Sequence, residues 1–571
     1  MTGIGRWVLR WSRPGYALAL ALLVAGRLLG PGYLLLRDAV STPRSYLSDS
    51  ALGLSEQAPR ATPQDFAVAV ASQVVDGGVV VKALLVVGLW LAGWGAARLV
   101  AAALPDSGAS GQFVAITLAI WNPYVGERLL QGHWSLLVGY GCLPWVATTM
   151  LALRSAGGWA PFFGLAFWIA LAGLTPTGLM LAATVALVCV AAPGAGRPRW
   201  LCALATLAGA VVAALPWLTA TALGSALPAQ QGAAITAFAP RAEPGLGTLG
   251  SLAGLGGIWN GEAVPPTRAT LFALVSAVVL LGVVVTGVPV AVRRPAAVPL
   301  LALAVVSVLV PAALATGPGL QLLRAVVDVA PGLGVLRDGQ KWVAPAIPGY
   351  ALAAGGSVLT LRRWVHPAAM ALTCCAALLF TLPDLAWGVW GKLGPVHYPP
   401  GWRVVAAAIN DHPGTVAVLP AGSMRRFSWS GPAPVLDPLP RWVRVDVLTT
   451  GDLTISGVTV PGEGSRARAV QQLLLTGTEP GELARAGVAW LVVEEDTPGE
   501  IGSAASTFKR LPAVYRGPDL ELYRVGGESF RAPADRRVAV LVAHFVWLAM
   551  LVAGGVGTAV AGWRRQASRA N

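Results

Sequence analysis

Three short stretches of this chain gather ionisable and hydrogen-bonding side chains between runs that are otherwise apolar. The first, Leu36–Arg37–Asp38–Ala39–Val40, puts a carboxylate directly after a long apolar segment. A carboxylate at a membrane–water boundary suits a general base that meets an acceptor in water and a lipid donor in the bilayer. The bland alternative is that Arg37 and Asp38 form an interfacial stop and helix cap. Asp49, in Leu47–Ser48–Asp49–Ser50, is the second candidate base in this loop, or a turn former.

The second stretch runs from Trp121 to Trp134. On a helix, Tyr124, Glu127, Arg128 and Gln131 share one face at i, i+3, i+4 and i+7. Ionisable groups at such a depth face a cavity more often than lipid, although an interhelical hydrogen-bond cluster would use the same residues. His133 closes the stretch; alone it is weak evidence for a metal. The third stretch, Pro331–Trp342, sets Arg337 and Lys341 at i, i+4 with Asp338 between them, at the start of a predicted span. Two cations beside a carboxylate can hold a lipid phosphate, Arg by a two-point fork and Lys as a point charge, and Arg128 is a further candidate for that phosphate. Snorkelling anchors are the alternative, but basic anchors belong on the inner side and this loop is predicted outside. Two further segments, Phe238–Pro244 and Ile258–Glu262, supply Arg241, Glu243, Trp259 and Asn260. Such a set can hold a sugar by stacking and hydroxyl hydrogen bonds, though Trp259 could equally be a belt residue at the membrane interface.

These residues must be positioned by membrane helices. Of 571 residues, 55% are hydrophobic and 12% charged, far from a soluble globular composition. Runs such as Tyr16–Leu36, Val79–Leu104, Trp200–Leu223, Leu271–Val292 and Val538–Gly562 each hold roughly 20 nearly uncharged residues, enough to cross ~30 Å of hydrocarbon as helix. About twelve spans are expected, at 15–36, 79–104, 111–123, 134–153, 159–175, 177–192, 199–223, 269–292, 297–315, 343–361, 367–384 and 537–562. The first reads as a retained span rather than a cleaved signal. With a cytoplasmic N-terminus, the basic clusters at Arg6–Arg13, Arg154, Arg197–Arg199, Arg293–Arg294, Arg362–Arg363 and Arg564–Arg565 all fall inside. The net charge of +14 is thus largely a topology signal, and no motif supports nucleic-acid binding.

Both termini are expected in the cytoplasm, with the long loops 37–76, 122–134, 224–268 and 317–342 outside. Residues 64–75 should form an amphipathic surface helix, begun at Asp65. Residues 385–535 read as a small external α/β domain, with strands at 415–419, 488–494, 513–515 and 520–525 and helices at 403–410 and 465–475. The predicted organisation is a multispanning domain (1–384), this external domain (385–535), and a final helix with a short basic tail (536–571). Arg425–Trp429 and Asp437–Pro438 are candidate acceptor contacts or packing residues. The five cysteines all fall in predicted spans, which leaves no disulfide framework and no Cys/His metal motif.

The order of these features resembles the GT-C superfamily of membrane glycosyltransferases, which use polyprenyl-phosphate sugars. Leu336–Arg337–Asp338–Gly339–Gln340–Lys341–Trp342 is similar to the Phe-Arg-x-x-x-Lys-Phe stretch of actinobacterial envelope arabinofuranosyltransferases. Asn122–Pro123–Tyr124–Val125–Gly126–Glu127–Arg128 with Gly132–His133–Trp134 is similar to their Asn-Pro-…-Glu-Arg-…-Gly-Gln-Trp segment. Gln340 and Trp342 depart from the family's His and Phe. The resemblance implies a GT-C-like polytopic helical fold and an acidic catalytic residue in the first external loop, the place of Asp38 or Asp49. It also implies an inverting transfer from a polyprenyl-phosphate sugar to an envelope glycan or glycolipid at the plasma membrane.

A monophosphate leaving group can be neutralised by Arg337 and Lys341, so no cofactor is required; a divalent ion is compatible with the chemistry but nothing indicates one. The competing reading is a non-catalytic GT-C relative that binds lipid or glycan and scaffolds envelope enzymes. A transporter should instead show related halves or broken helices with charges near mid-membrane, whereas here the charges gather at one face.

Overall fold

The computed structural model describes residues 3–156, 158–224, 232–455, 457–528 and 531–570. Part of the third predicted loop, 225–231, lies outside the described residues.

The molecule is dominated by apolar helices. Five among the described residues are long and apolar enough to cross a membrane: Gly77–Ala103, Trp134–Ala156, Arg199–Leu223, Phe272–Ala291 and Ala534–Arg564. Two further pairs, Val298–Leu314 with Gly317–Val329 and Pro367–Phe380 with Pro383–Trp390, are bent by 91° and 72°, and counting each as one span gives up to seven. Shorter apolar helices occupy Ala160–Ala172, Pro176–Cys189 and Ala346–Leu361. Large side chains such as Leu204, Val211, Val278 and Val285 stay exposed on these helices, as expected where the surrounding solvent is hydrocarbon. The chain is a multi-pass membrane protein.

Local chemistry explains the helix limits. Asp76 caps Gly77–Ala103, its carboxylate accepting from the Gly78 and Val79 amides at 2.8 and 3.3 Å. That helix packs on Trp134–Ala156 through small residues: a Cβ on Gly141 would collide with the Gly88 carbonyl, so the two backbones approach as glycines allow.

Two expectations need correction. The first helix runs Gly3–Ala25 and a 3-10 turn ends it at Leu29, rather than at residue 36. Apolar residues 33–36 continue as extended chain, because Leu35–Leu36 pairs with Ala39–Val40 and Tyr33 bridges to Val396. The segment 331–343 is not one helix. It forms two 3-10 pieces, Pro331–Arg337 and Gly339–Val343, broken at Asp338 (φ −85°, ψ 83°). Arg337 and Lys341 are therefore not stacked one helical turn apart.

The region beyond residue 390 contains a four-stranded sheet of order 416–419, 490–494, 520–524, 513–516. The first pair is parallel and the others antiparallel. Side chains alternate between faces as a pleated strand requires. Val416 and Val418 pack with Trp402, Val405 and Ile409 of helix Pro400–Asp411. Ala417 and Leu419 pack with Val470, Leu474 and Leu483 on the other side. The expected strands and helices are thus present within a few residues. Arg425 lies buried between Glu494 and Asp437, and Phe427, Trp402 and Trp429 form an aromatic cluster. Within the Arg425–Trp429 segment, Arg425 and Phe427 pack inward, while Arg426 and Ser428 stay exposed.

The sheet region is stitched to the first loop. Leu35 belongs to its core, the Arg37 amide donates to Pro434 O at 2.9 Å and the Leu436 amide donates to Arg37 O at 2.9 Å.

Candidate active site

Asp38 sits on the tip of a two-residue hairpin turn between Leu35–Leu36 and Ala39–Val40. Arg37 takes the left-handed conformation there (φ 49°), and its guanidinium donates to Leu130 O at 2.6 Å and Glu262 O at 2.9 Å. The alternative reading of Arg37–Asp38 as a helix cap is therefore set aside. The Asp38 amide donates to Gln131 O at 3.2 Å. Between them lies Gly132 (φ 84°), where a Cβ would collide with the Leu36 carbonyl and the Ala39 amide. Only glycine allows this close crossing of the hairpin and the 131–134 segment.

That crossing brings His133 Nε2 to 2.9 Å from Asp38 Oδ2, and the Gln131 amide donates to the same oxygen at 3.2 Å. The opposite ring nitrogen, Nδ1, lies 3.2 Å from Arg128 Nη1. A guanidinium can only donate, so Nδ1 accepts and the proton resides on Nε2, which donates to Asp38. The imidazole is neutral, with its tautomer set by its two neighbours. Burial and nearby Lys341 hold its pKa below the ordinary value against the pull of Asp38. Burial alone would raise the Asp38 carboxyl, but the His133 and Gln131 donors together with Lys341 outweigh it and hold the group below its usual range. Although deeply surrounded, the Asp38 side chain keeps 39% of its surface accessible.

Arg128 is the hub of this cluster and is fully buried. Its fork donates to both Asp338 oxygens, at 2.8 and 2.9 Å, and also to the Gln340 amide oxygen. Asp338 in turn lies 3.5 Å from Lys341 Nζ. Its carboxyl is held well below the usual range: burial opposes ionisation, but Arg128 and Lys341 overcome it. Gln340 Nε2 donates to Glu127 Oε2 at 3.1 Å, and Glu127 also accepts from the Gly257 and Ile258 amides at 3.2 and 3.0 Å. Burial and the neighbouring Glu243 push the Glu127 carboxyl up. Asn260 Nδ2 donates to Gln131 Oε1 at 2.8 Å. One continuous polar network therefore joins the first loop, the 122–134 segment, the 255–260 turn and the 338–341 break.

The structure thus brings together Asp38, Glu127, Arg128, Gln131, His133, Asn260, Asp338 and Lys341. Arg337 is turned aside, its guanidinium 4.4 Å from the centre of the Phe238 ring, and Trp259 packs edge-on to that ring at 4.5 Å. Arg241 has two buried guanidinium nitrogens, Nε and Nη2, with no hydrogen-bond partner among the described residues. Glu243 forms an ion pair with Arg268 in which neither side chain is exposed. Asp49 lies elsewhere, paired with Arg537 and accepting from the Ala532 amide at 2.9 Å. Sequence reading missed Gly132, Gln340 and Arg268 as organisers. Gly132 carried a signal, a glycine between two polar residues, whereas the partners of Gln340 and Arg268 are set by tertiary contact.

No family model and no curated protein matches the chain. Among solved structures it is similar to the cryo-EM structure of arabinofuranosyltransferase AftD from mycobacteria, with a TM-score of 0.60 and 17% identity over 91% of this chain and 40% of that one. Two classes of an Arg-to-Ser mutant of the same enzyme give TM-scores of 0.56 and 0.51, at 18% and 17% identity. The chain spans about 40% of the length of the AftD chain it matches. At this identity the likeness is one of fold alone: the chain shares the fold of the AftD region it matches, as the sequence resemblance implied.

Proposed function

We propose that the chain is a membrane glycosyltransferase of cell-envelope assembly, moving a sugar from a polyprenyl-phosphate donor to a glycan or glycolipid acceptor outside the cell. One observation carries the reading: Asp38 is an accessible carboxylate, held ionised by a neutral histidine, in a network whose far end is the cation Lys341. In an inverting transfer, the acceptor oxygen attacks the anomeric carbon while the bond to the donor phosphate breaks. The acceptor proton passes to Asp38, and the leaving phosphate takes the bonding pair. A carboxylate with a depressed pKa is a weak base, but it is always ready, and the acceptor oxygen grows acidic as its new bond forms. Lys341 stabilises the departing phosphate, joined by Arg241, whose buried nitrogens have hydrogen bonds to give; Arg337, turned toward Phe238, takes no part. Arg128 and Asp338 neutralise one another and hold His133 and Lys341 in place, a positioning role. Trp259 and Asn260 flank the sugar. No metal is invoked.

The same reading includes about twelve spans, supported by a helix over each predicted apolar run, both termini in the cytoplasm, and division into residues 1–384, 385–535 and 536–571. It is tested by reconstituting the purified chain with polyprenyl-phosphate pentoses and an envelope glycan acceptor. Transfer by wild type, reduced about 10²- to 10⁴-fold in Asp38→Asn with donor binding retained, is the expected result. Donor binding without transfer by wild type would make the protein a scaffold.

A further inference from the structure

A polar cavity lies apart from the Asp38 network and shares no residue with it. This cavity of about 690 Å³ is formed where the first loop, the sheet region and the start of the last helix meet. Four arginines line it, Arg44, Arg444, Arg531 and Arg537, against two carboxylates, Asp49 and Asp446. Both carboxylates are engaged: Asp49 with Arg537, and Asp446 as acceptor from the Ser50 amide at 3.2 Å. Arg44 and Arg444 approach one aromatic ring, that of Tyr46, at 5.3 and 5.0 Å from its centre. Both are exposed, as is Arg531. Guanidinium groups gathered in this way form a seat for a phosphate, which they can grip by two-point hydrogen bonds.

What lies beside the arginines is apolar and uncovered. Arg537 lines the cavity, while Val538, Val542 and Phe545 on the same helix remain exposed. Ala69 and Gln73 line it from the first loop, and Val70, Val74 and Val75 next to them are exposed too. Phe66 and Phe545 pack edge to face at 5.8 Å, which holds these two elements side by side. Cationic groups at the head of an apolar strip, where a helix enters the bilayer, match a charged headgroup above acyl chains.

We propose that this cavity binds the phosphate of an anionic membrane lipid, with the headgroup against Arg44, Arg444 and Arg531 and the chains along Val538, Val542 and Phe545. The site does not depend on the catalytic reading of Asp38. It is tested by incubating the full chain in detergent micelles with phosphatidylglycerol, or with a diacylglycerol that lacks phosphate, and measuring retained lipid by native mass spectrometry. Wild type should retain phosphatidylglycerol and not diacylglycerol. The Arg444→Gln/Arg531→Gln variant should bind it about tenfold or more weakly, the loss of at least one charged hydrogen bond. Arg516→Gln, exposed on an outer strand of the sheet, should bind as wild type does. Arg444→Lys, which keeps the charge but loses the fork, gives a second reading if the double variant fails to fold, and should be intermediate. Equal retention by wild type and the arginine variants, or equal retention of diacylglycerol, overturns the proposal. Displacement of the lipid by millimolar inorganic phosphate would assign the cavity to free phosphate instead and equally overturn it.

Discussion

The chemistry of single residues turns on who may donate to whom. Arg128 can only donate, so it fixes His133 as a neutral ring whose Nε2 proton points at Asp38. If Asp38 is the base, the acid limb of the rate profile follows its pKa, which lies below the ordinary carboxylate value. Activity should therefore stay flat from neutral pH down into the mildly acid range. His133→Ala removes a donor that favours the ionised form, so the Asp38 pKa rises and the acid limb should move toward neutrality. A pH–rate profile of the two proteins checks this, and an unmoved limb would disconnect His133 from the base. The candidate residues were legible in the sequence because charges between apolar runs are costly and stand out. Their pairing was not. Arg128, expected at the donor phosphate, is occupied by Asp338, and Glu243 is sealed against Arg268, because a buried charge takes whichever partner the fold delivers.

At the scale of elements, the site is an intersection of short irregular pieces held by longer regular ones. The hairpin at 35–40, the 131–134 crossing and the 3-10 break at Asp338 carry the reactive groups, and none has the periodicity that makes long helices readable. The apolar run ending at Leu36 looks like continuous helix, yet its last residues pair as strand, since β-branched content and length cannot separate a helix end from a short buried strand. Gly132 is the joint of this arrangement. Gly132→Ala should lower the thermal melting point and reduce transfer by at least about tenfold, because the added Cβ meets the Leu36 and Ala39 backbone and forces the Asp38 turn away from His133. Measured melting and activity together check it. Unaltered activity would mean that the crossing relaxes without moving Asp38.

Over the whole molecule, the membrane helices and the sheet region form one surface around the first loop, since Leu35 lies in the sheet core and Arg37 bonds to both sides. The multi-pass character and the strand and helix order beyond residue 400 were readable from composition and alternation. The way the sheet region clasps the first loop was not, because its contacts join residues some 400 positions apart. The proposed orientation puts the sheet region outside. Ser503 is exposed on it, and all five native cysteines are buried, so Ser503→Cys should react with a membrane-impermeant thiol reagent in intact cells; labelling only after lysis reverses the topology. The most direct measurement of the central claim is a density map of the protein with a bound polyprenyl-phosphate sugar. The account predicts the phosphate within hydrogen-bonding distance of Lys341 Nζ and the anomeric carbon facing the Asp38 carboxylate. A phosphate seated away from Lys341, or a sugar whose nearest carboxylate is Asp49, would contradict it.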